Sequence, residues 1–193
     1  MEIARIVKAN SHVDYVAQVY GPGEKAPVPQ RDEYGFGRFM CIDAEGGRCI
    51  VSAVYDTQLL NPEFGRLGPR LSPPADVSVF MPDYVNEQAT LIGLIALGER
   101  VAGQYVQGVP HVAAPVNAPV VSMTEEEFVA FHSAGGKLSL YYARMLQGQL
   151  NPLLLELLVQ TILRLEDEFP DQAKMLSTLR ANLMWQSRVE VNR

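Results

Sequence analysis

The sequence predicts an α+β protein, with a small N-terminal β-barrel over residues 1–122 and a helical appendage over residues 123–193. Three observations predict it. Up to residue 122, apolar residues recur with period two in short runs separated by glycine- and proline-rich turns. At Thr124 the period changes to that of a helix. Within the first region, residues 87–98 (EQATLIGLIALG) are apolar on both sides, the pattern of a strand buried on both faces.

The elements follow in order. Residues 3–9 (IARIVKA) form a short apolar strand. Residues 12–20 alternate, with Val13, Tyr15, Ala17 and Val19 on one face. A loop with Pro22, Pro27 and Pro29 runs from Gly21 to Gly37. Residues 38–44 and 48–57 read as a hairpin with a two-residue turn at Gly46-Gly47. That register pairs Cys41 with Ser52 and Cys49 with Ala44, which sets the thiols on opposite faces and predicts no disulfide. Residues 103–107 and 118–122 complete the strands, and short strands with regular turns suggest a small barrel or sandwich.

Thr124-Glu125-Glu126-Glu127 is a capping box, followed by Phe128, Val129 and Phe131 at helical spacing. Gly135-Gly136 is expected to end that helix, and residues 138–147 read as a second short one. Asn151-Pro152 starts a third, because Asn caps and Pro is tolerated at the first helical position. Pro170 stops it and begins the last helix, where Leu176, Leu179 and Leu183 mark one face.

Composition bounds the function. The 193 residues are 48% hydrophobic and 20% charged, ordinary globular usage, with net charge −6 and no block of like charges. This argues against a direct nucleic-acid surface, which needs clustered Lys and Arg. No apolar run is long enough to cross a bilayer, and the first residues lack a signal-peptide core. The expected location is therefore cytoplasmic, where thiols stay reduced.

No catalytic constellation is legible. His12, His111 and His132 have no metal-ligand spacing and read as exposed or half-buried side chains. GxSxG, SxxK and Walker A patterns are absent. Glu125, Glu126 and Glu127 are explained by capping and by the positive helix N-terminus. No catalytic, cofactor-binding or metal-binding residue is singled out, and no cofactor is expected.

The stretch from Leu60 to Asn86 is the most unusual. It holds Pro62, Pro69, Pro73, Pro74 and Pro82, five of the thirteen prolines. Connections this long inside a compact domain are uncommon and are often functional. Its Phe64, Arg66, Leu67, Arg70 and Leu71 mix apolar, aromatic and arginine side chains, the composition of a partner-binding patch. A competing expectation makes the stretch a lid over a pocket in a small-ligand-binding or hydrolytic barrel, with Asp76, Asp83, Tyr84 and His111 as polar groups. Direct DNA binding would need Arg5, Arg31, Arg38, Arg48, Arg66 and Arg70 to gather on one face.

The strand order carries a resemblance. An early IxxIV strand (Ile3 to Val7), the GRFMCI run from Gly37 to Ile42, a strand leading into Asn61-Pro62, and the ATLIGL run from Ala89 to Leu94 together resemble the HAS-barrel. That barrel lies at the N-terminus of HerA-type hexameric DNA translocases and of rotary ATP synthase subunits. The resemblance covers about residues 1–110. The P-loop ATPase domain that follows the barrel in HerA is replaced here by helices. The resemblance implies a stand-alone barrel module: a non-enzymatic assembly or adaptor protein acting beside a HerA–NurA type DNA-processing system. Its implied partners are a HerA-type ATPase, a NurA-type nuclease or further copies of itself, with no direct nucleic-acid or membrane contact.

Overall fold

The computed structural model describes residues 1–60, 89–134, 136–149 and 151–190. Seven strands build one antiparallel sheet: β1 (Glu2–Ala9), β2 (Asp14–Val19), β3 (Phe39–Asp43), β4 (Cys49–Leu60), β5 (Ala89–Val101), β6 (Gln104–Gln107) and β7 (Pro119–Ser122). Six of them close into a barrel in the order β1, β2, β5, β4, β3, β7 and back to β1. The fold class is therefore the expected one. β5 is the staple of the closure. One edge pairs with β4 along its length, while the other is shared between β2 (Leu91 to Gln18 through Ile95 to Asp14) and β6. Register shifts in the β4–β5 ladder leave Tyr55 and Leu97 unpaired, and such bulges bend strands enough to close a small barrel.

The helices are α1 (Glu125–His132), α2 (Ala143–Gln147), α3 (Pro152–Glu168) and α4 (Ala173–Glu190). The expected caps form. The Thr124 hydroxyl accepts from the Glu127 amide at 3.2 Å, and the Glu127 carboxylate accepts from the Thr124 amide at 3.0 Å. Asn151 accepts from the Leu153 amide at 3.0 Å, with Pro152 at the first position. α1 ends at His132, short of the glycine pair. Ser133–Ala134 (β8) instead pairs with Lys137–Leu138 (β9), and Gly136, at φ 77°, turns the chain between them.

Two apolar cores result. Ile3, Ile6, Tyr15, Met40, Ile42 and Leu94, with their neighbours, fill the barrel. On the outside, Phe39, Val51, Ala53, Ile95 and Leu97 pack under Phe128, Phe131, Leu146, Leu154, Leu157 and Leu158 of the helices. β5 thus has both faces buried, as its pattern predicts.

The hairpin register differs from expectation. Cys41 faces Val51 and Asp43 faces Cys49, one residue away from the two-residue turn. Glu45, Gly46 and Gly47 all take positive φ (65°, 59° and 75°), so three residues make the turn. A one-residue slip moves every side chain to the other face. The thiols therefore share the outer face with Cα atoms 5.5 Å apart, and a Cys41–Cys49 disulfide replaces the expected free pair.

Gly98 sits where β5, β6 and α1 meet. A Cβ there would lie 2.3 Å from the Val106 carbonyl oxygen and 2.8 Å from the Phe131 ring. Backbone cannot yield cheaply, so Gly98→Ala is expected to cost about 2–3 kcal/mol in urea unfolding, as overpacking does. Gly148→Ala, whose nearest neighbour would be at an ordinary 3.5 Å, is expected to stay within about 0.5 kcal/mol. Equal effects would mean that β6 and α1 do not close on Gly98.

Candidate functional site

Among the described residues, the barrel has no open lumen. Ile3, Met40, Ile42, Ile50, Ile92 and Leu94 are 0% exposed and Tyr15 plugs the interior among them. The Tyr15 hydroxyl donates to the His12 carbonyl at 2.6 Å and accepts from the Ala114 amide at 3.2 Å, which fixes the plug. Small barrels filled by side chains leave recognition to their exterior.

On that exterior, a cleft of about 230 Å³ opens between the start of β3 and helices α1 and α3. Phe36, Gly37, Arg38 and Phe39 form one wall, and Glu125, Gln160, Thr161 and Arg164 the other. Its charges are largely engaged. Arg164 pairs with Glu125 and lies 3.6 Å above the Phe128 ring, a cation–π contact. Arg38 Nε donates to the Asp32 carbonyl at 2.9 Å, and the Thr161 hydroxyl donates to the Leu157 carbonyl at 2.8 Å.

Behind the cleft, His132 is fully buried, contrary to the exposed position its place near a helix end suggested. Phe128, Phe131 and His132 stand at i, i+3 and i+4, so the histidine shares the apolar face of α1. Rings of Phe39, Phe128, Phe131 and Tyr142 surround it at 4.4–5.7 Å. Nδ1 lies 2.8 Å from the Phe128 carbonyl, an acceptor only, so Nδ1 carries the proton. Nε2 then accepts from the Tyr142 hydroxyl at 2.7 Å. Both nitrogens are satisfied in the neutral form. Burial holds the imidazole down at about 4, with Arg164 pushing the same way against the Phe128 hydrogen bond. Burial likewise drives the Tyr142 phenol upward. This pair is a buried bolt between α1 and α2, without access to a substrate.

The docking patch expected at Phe64, Arg66, Leu67, Arg70 and Leu71 lies outside the described residues, as do Asp76, Asp83 and Tyr84. His111 is exposed, and its neighbour Pro110 accepts from His12 Nε2 at 2.8 Å. Of the arginines considered for DNA, Arg5 pairs with Glu2 at 3.7 Å and Arg48 with Glu99 at 3.4 Å, Arg38 donates to the Asp32 backbone carbonyl, and Arg66 and Arg70 lie outside the described residues. Among the described residues, no group of three His, Cys, Asp or Glu is placed to hold a metal ion.

One surface was missed by the sequence reading. α4 buries Leu176 and Leu183, but Met175 and Trp185 remain 58% and 67% exposed on its outward side. The readable signal was their spacing with Thr178 and Asn182, a second stripe beside the leucine face.

These features define a closed six-stranded antiparallel barrel, filled inside, roofed by helices on one outer face. The chain belongs to the family described as a domain of unknown function, DUF8166, whose model matches residues 1–192, through barrel and helices alike. No curated protein matches the sequence. Within the described residues, no helix is long and apolar enough to cross a membrane.

His132 makes stability depend on pH. Unfolded, it binds a proton below about 6.5; folded, it stays neutral down to about 4. The unfolded state therefore holds more protons in that window, and stability falls as pH drops through it, by up to about 3 kcal/mol. Urea midpoints from pH 7.5 to 4 should show this fall, and His132→Gln should remove that component. A variant with an unchanged pH slope would place the titration elsewhere.

Proposed function

We propose that this chain is a non-enzymatic assembly or adaptor protein that acts through its outer surface. The barrel interior, filled with apolar side chains among the described residues, carries this reading, because it puts recognition on the exterior. The resemblance of the sequence pattern over about residues 1–110 to the HAS-barrel supports a HerA-type ATPase or NurA-type nuclease as the partner. The Pro-rich stretch supplies the contact, through Phe64, Arg66, Leu67, Arg70 and Leu71, whose arginine and aromatic content suits an interface. The reading as a small-ligand or hydrolytic barrel has less support: the cleft beside β3 is small, and its arginine and threonine groups are engaged.

Affinity capture from native lysate tests this directly. A HerA-type or NurA-type subunit is expected in the eluate. The double variant Arg66→Glu/Leu67→Ala should lower capture at least about tenfold, roughly one hot-spot contact, with an unchanged urea midpoint. Recovery of neither subunit counts against the partner, and capture indifferent to the variant counts against the patch.

The proposal includes a cytoplasmic location, where a disulfide is not expected to persist. Acid-quenched cells should then yield Cys41 and Cys49 alkylated as two thiols by mass spectrometry, the disulfide of the structure being the oxidised form of the pair. A pair protected from alkylation until reduction would indicate an oxidising compartment and remove the cytoplasmic partners.

A further inference from the structure

α4 carries two stripes. Leu176 and Leu183 face the core shared with α3. Met175, Thr178, Asn182 and Trp185 lie on the outward side and are all exposed. They are spaced three, four and three residues apart, the repeat that keeps a seam on one face of a coiled helix pair. A groove of about 770 Å³ runs along this side, bordered by Asp171, Lys174, Met175, Thr178, Leu179 and Asn182.

We propose that this seam is covered by α4 of a second copy of the chain, running antiparallel in a two-fold dimer. A two-fold interface must be complementary to itself, and a spacing of three, four and three reads the same from either end. Centred near Arg180, antiparallel pairing sets Met175 on Trp185 of the second copy at both ends. It also sets Thr178 beside Asn182 of the second copy in the middle. A thioether against an indole is a favourable contact. The central hydroxyl and amide satisfy each other and fix the register. Charge chooses the direction. Parallel pairing would bring Asp171 and Lys174 each near its own copy, whereas antiparallel pairing separates these like charges and opposes the helix dipoles.

Area sets the strength. The 18-residue helix is about 27 Å long at its usual rise. Two such helices bury on the order of 1,000 Å² together, the lower bound of a specific interface. The dimer is therefore reversible and concentration-dependent. It goes beyond the adaptor reading and is independent of it, since a monomer could still capture a partner through the Pro-rich stretch.

Trp185 is the only tryptophan in the chain, so its emission reports on the seam itself. Light scattering and fluorescence are measured together on the full chain from low micromolar to sub-millimolar concentration. The mass should rise from 21.3 kDa to twice that value, and the emission should shift to the blue along the same curve. Met175→Glu and, separately, Thr178→Lys keep the reporter and change only exposed positions. Each should give a monomer with red-shifted emission at every concentration and an unchanged far-UV spectrum. A wild-type monomer throughout the range, or a dimer that both variants leave intact, overturns the proposal.

Discussion

The outward face of β3, β4 and β5 is nearly as apolar as the inward one, and the rest of the molecule follows from covering it. Phe39, Val51, Ala53, Ile95 and Leu97 would face water on an isolated barrel. At about 25 cal/mol per Å² of apolar surface, each large side chain kept from water contributes roughly 1.5–3 kcal/mol. The helices do this with aromatic side chains from α1 and leucines from α3. Phe39 stands edge-on to Phe128 with ring centres 4.9 Å apart, and Phe131 stacks on Tyr142 at 5.9 Å. This close approach is also why β5 carries glycine at position 98.

Polar contacts orient this layer more than they stabilise it. Arg100 of β5 meets Glu127 of α1 at 2.8 Å, and Arg180 of α4 holds Glu166 of α3 through two nitrogens at 2.8 and 3.2 Å. Such partly exposed pairs are worth only about 0–1 kcal/mol each, well below the apolar burial beside them. Gln107 at the end of β6 is a more demanding contact. Its amide nitrogen donates to the carbonyls of Phe131 and Ser139, both at 2.9 Å, while its oxygen accepts from the Tyr141 amide at 2.8 Å and the Ser139 hydroxyl at 3.2 Å. One side chain thus satisfies the backbone where the chain turns back from α1 towards α2. That return segment is what seals His132 from solvent.

The strands and the helix starts were legible because each has a local cause: alternation, a turn signal or a cap. The register of the β3–β4 hairpin was not. Hydrophobic pattern fixes register only when one face is polar, and Cys49 through Val54 are buried on both faces. The tie was broken by Glu45 adopting positive φ beside the two glycines, a choice the Gly46-Gly47 signal does not report. His132 was misread for a different reason. Its spacing from Phe128 placed it on the apolar face, but Tyr142, which meets its Nε2, returns to it through a two-residue strand pairing too short to show a period. The expected docking patch falls outside the described residues, while the α4 seam was hidden beside a stronger leucine stripe.

Closure of the barrel has a consequence for recognition. A closed sheet removes strand edges, which are otherwise ready templates for another chain. Here closure is incomplete on β4. Its pairing with β3 ends at Ala53, whereas its pairing with β5 continues to Leu60. From Asp56 onward one edge of β4 is left without a strand partner among the described residues, and Leu59 is 78% exposed. Asp56 lies at the start of that edge, its carboxylate accepting from the Thr57 amide at 2.8 Å and the Gln58 side chain at 3.1 Å. A fixed negative charge discourages indiscriminate strand addition without blocking a partner of suitable charge. The edge leads directly into the Pro-rich stretch, whose five prolines supply no backbone N–H for extending a sheet. Under the proposed docking role, contacts through that stretch would lean on side chains more than on a backbone ladder, and its apolar and arginine residues have the composition of an interface.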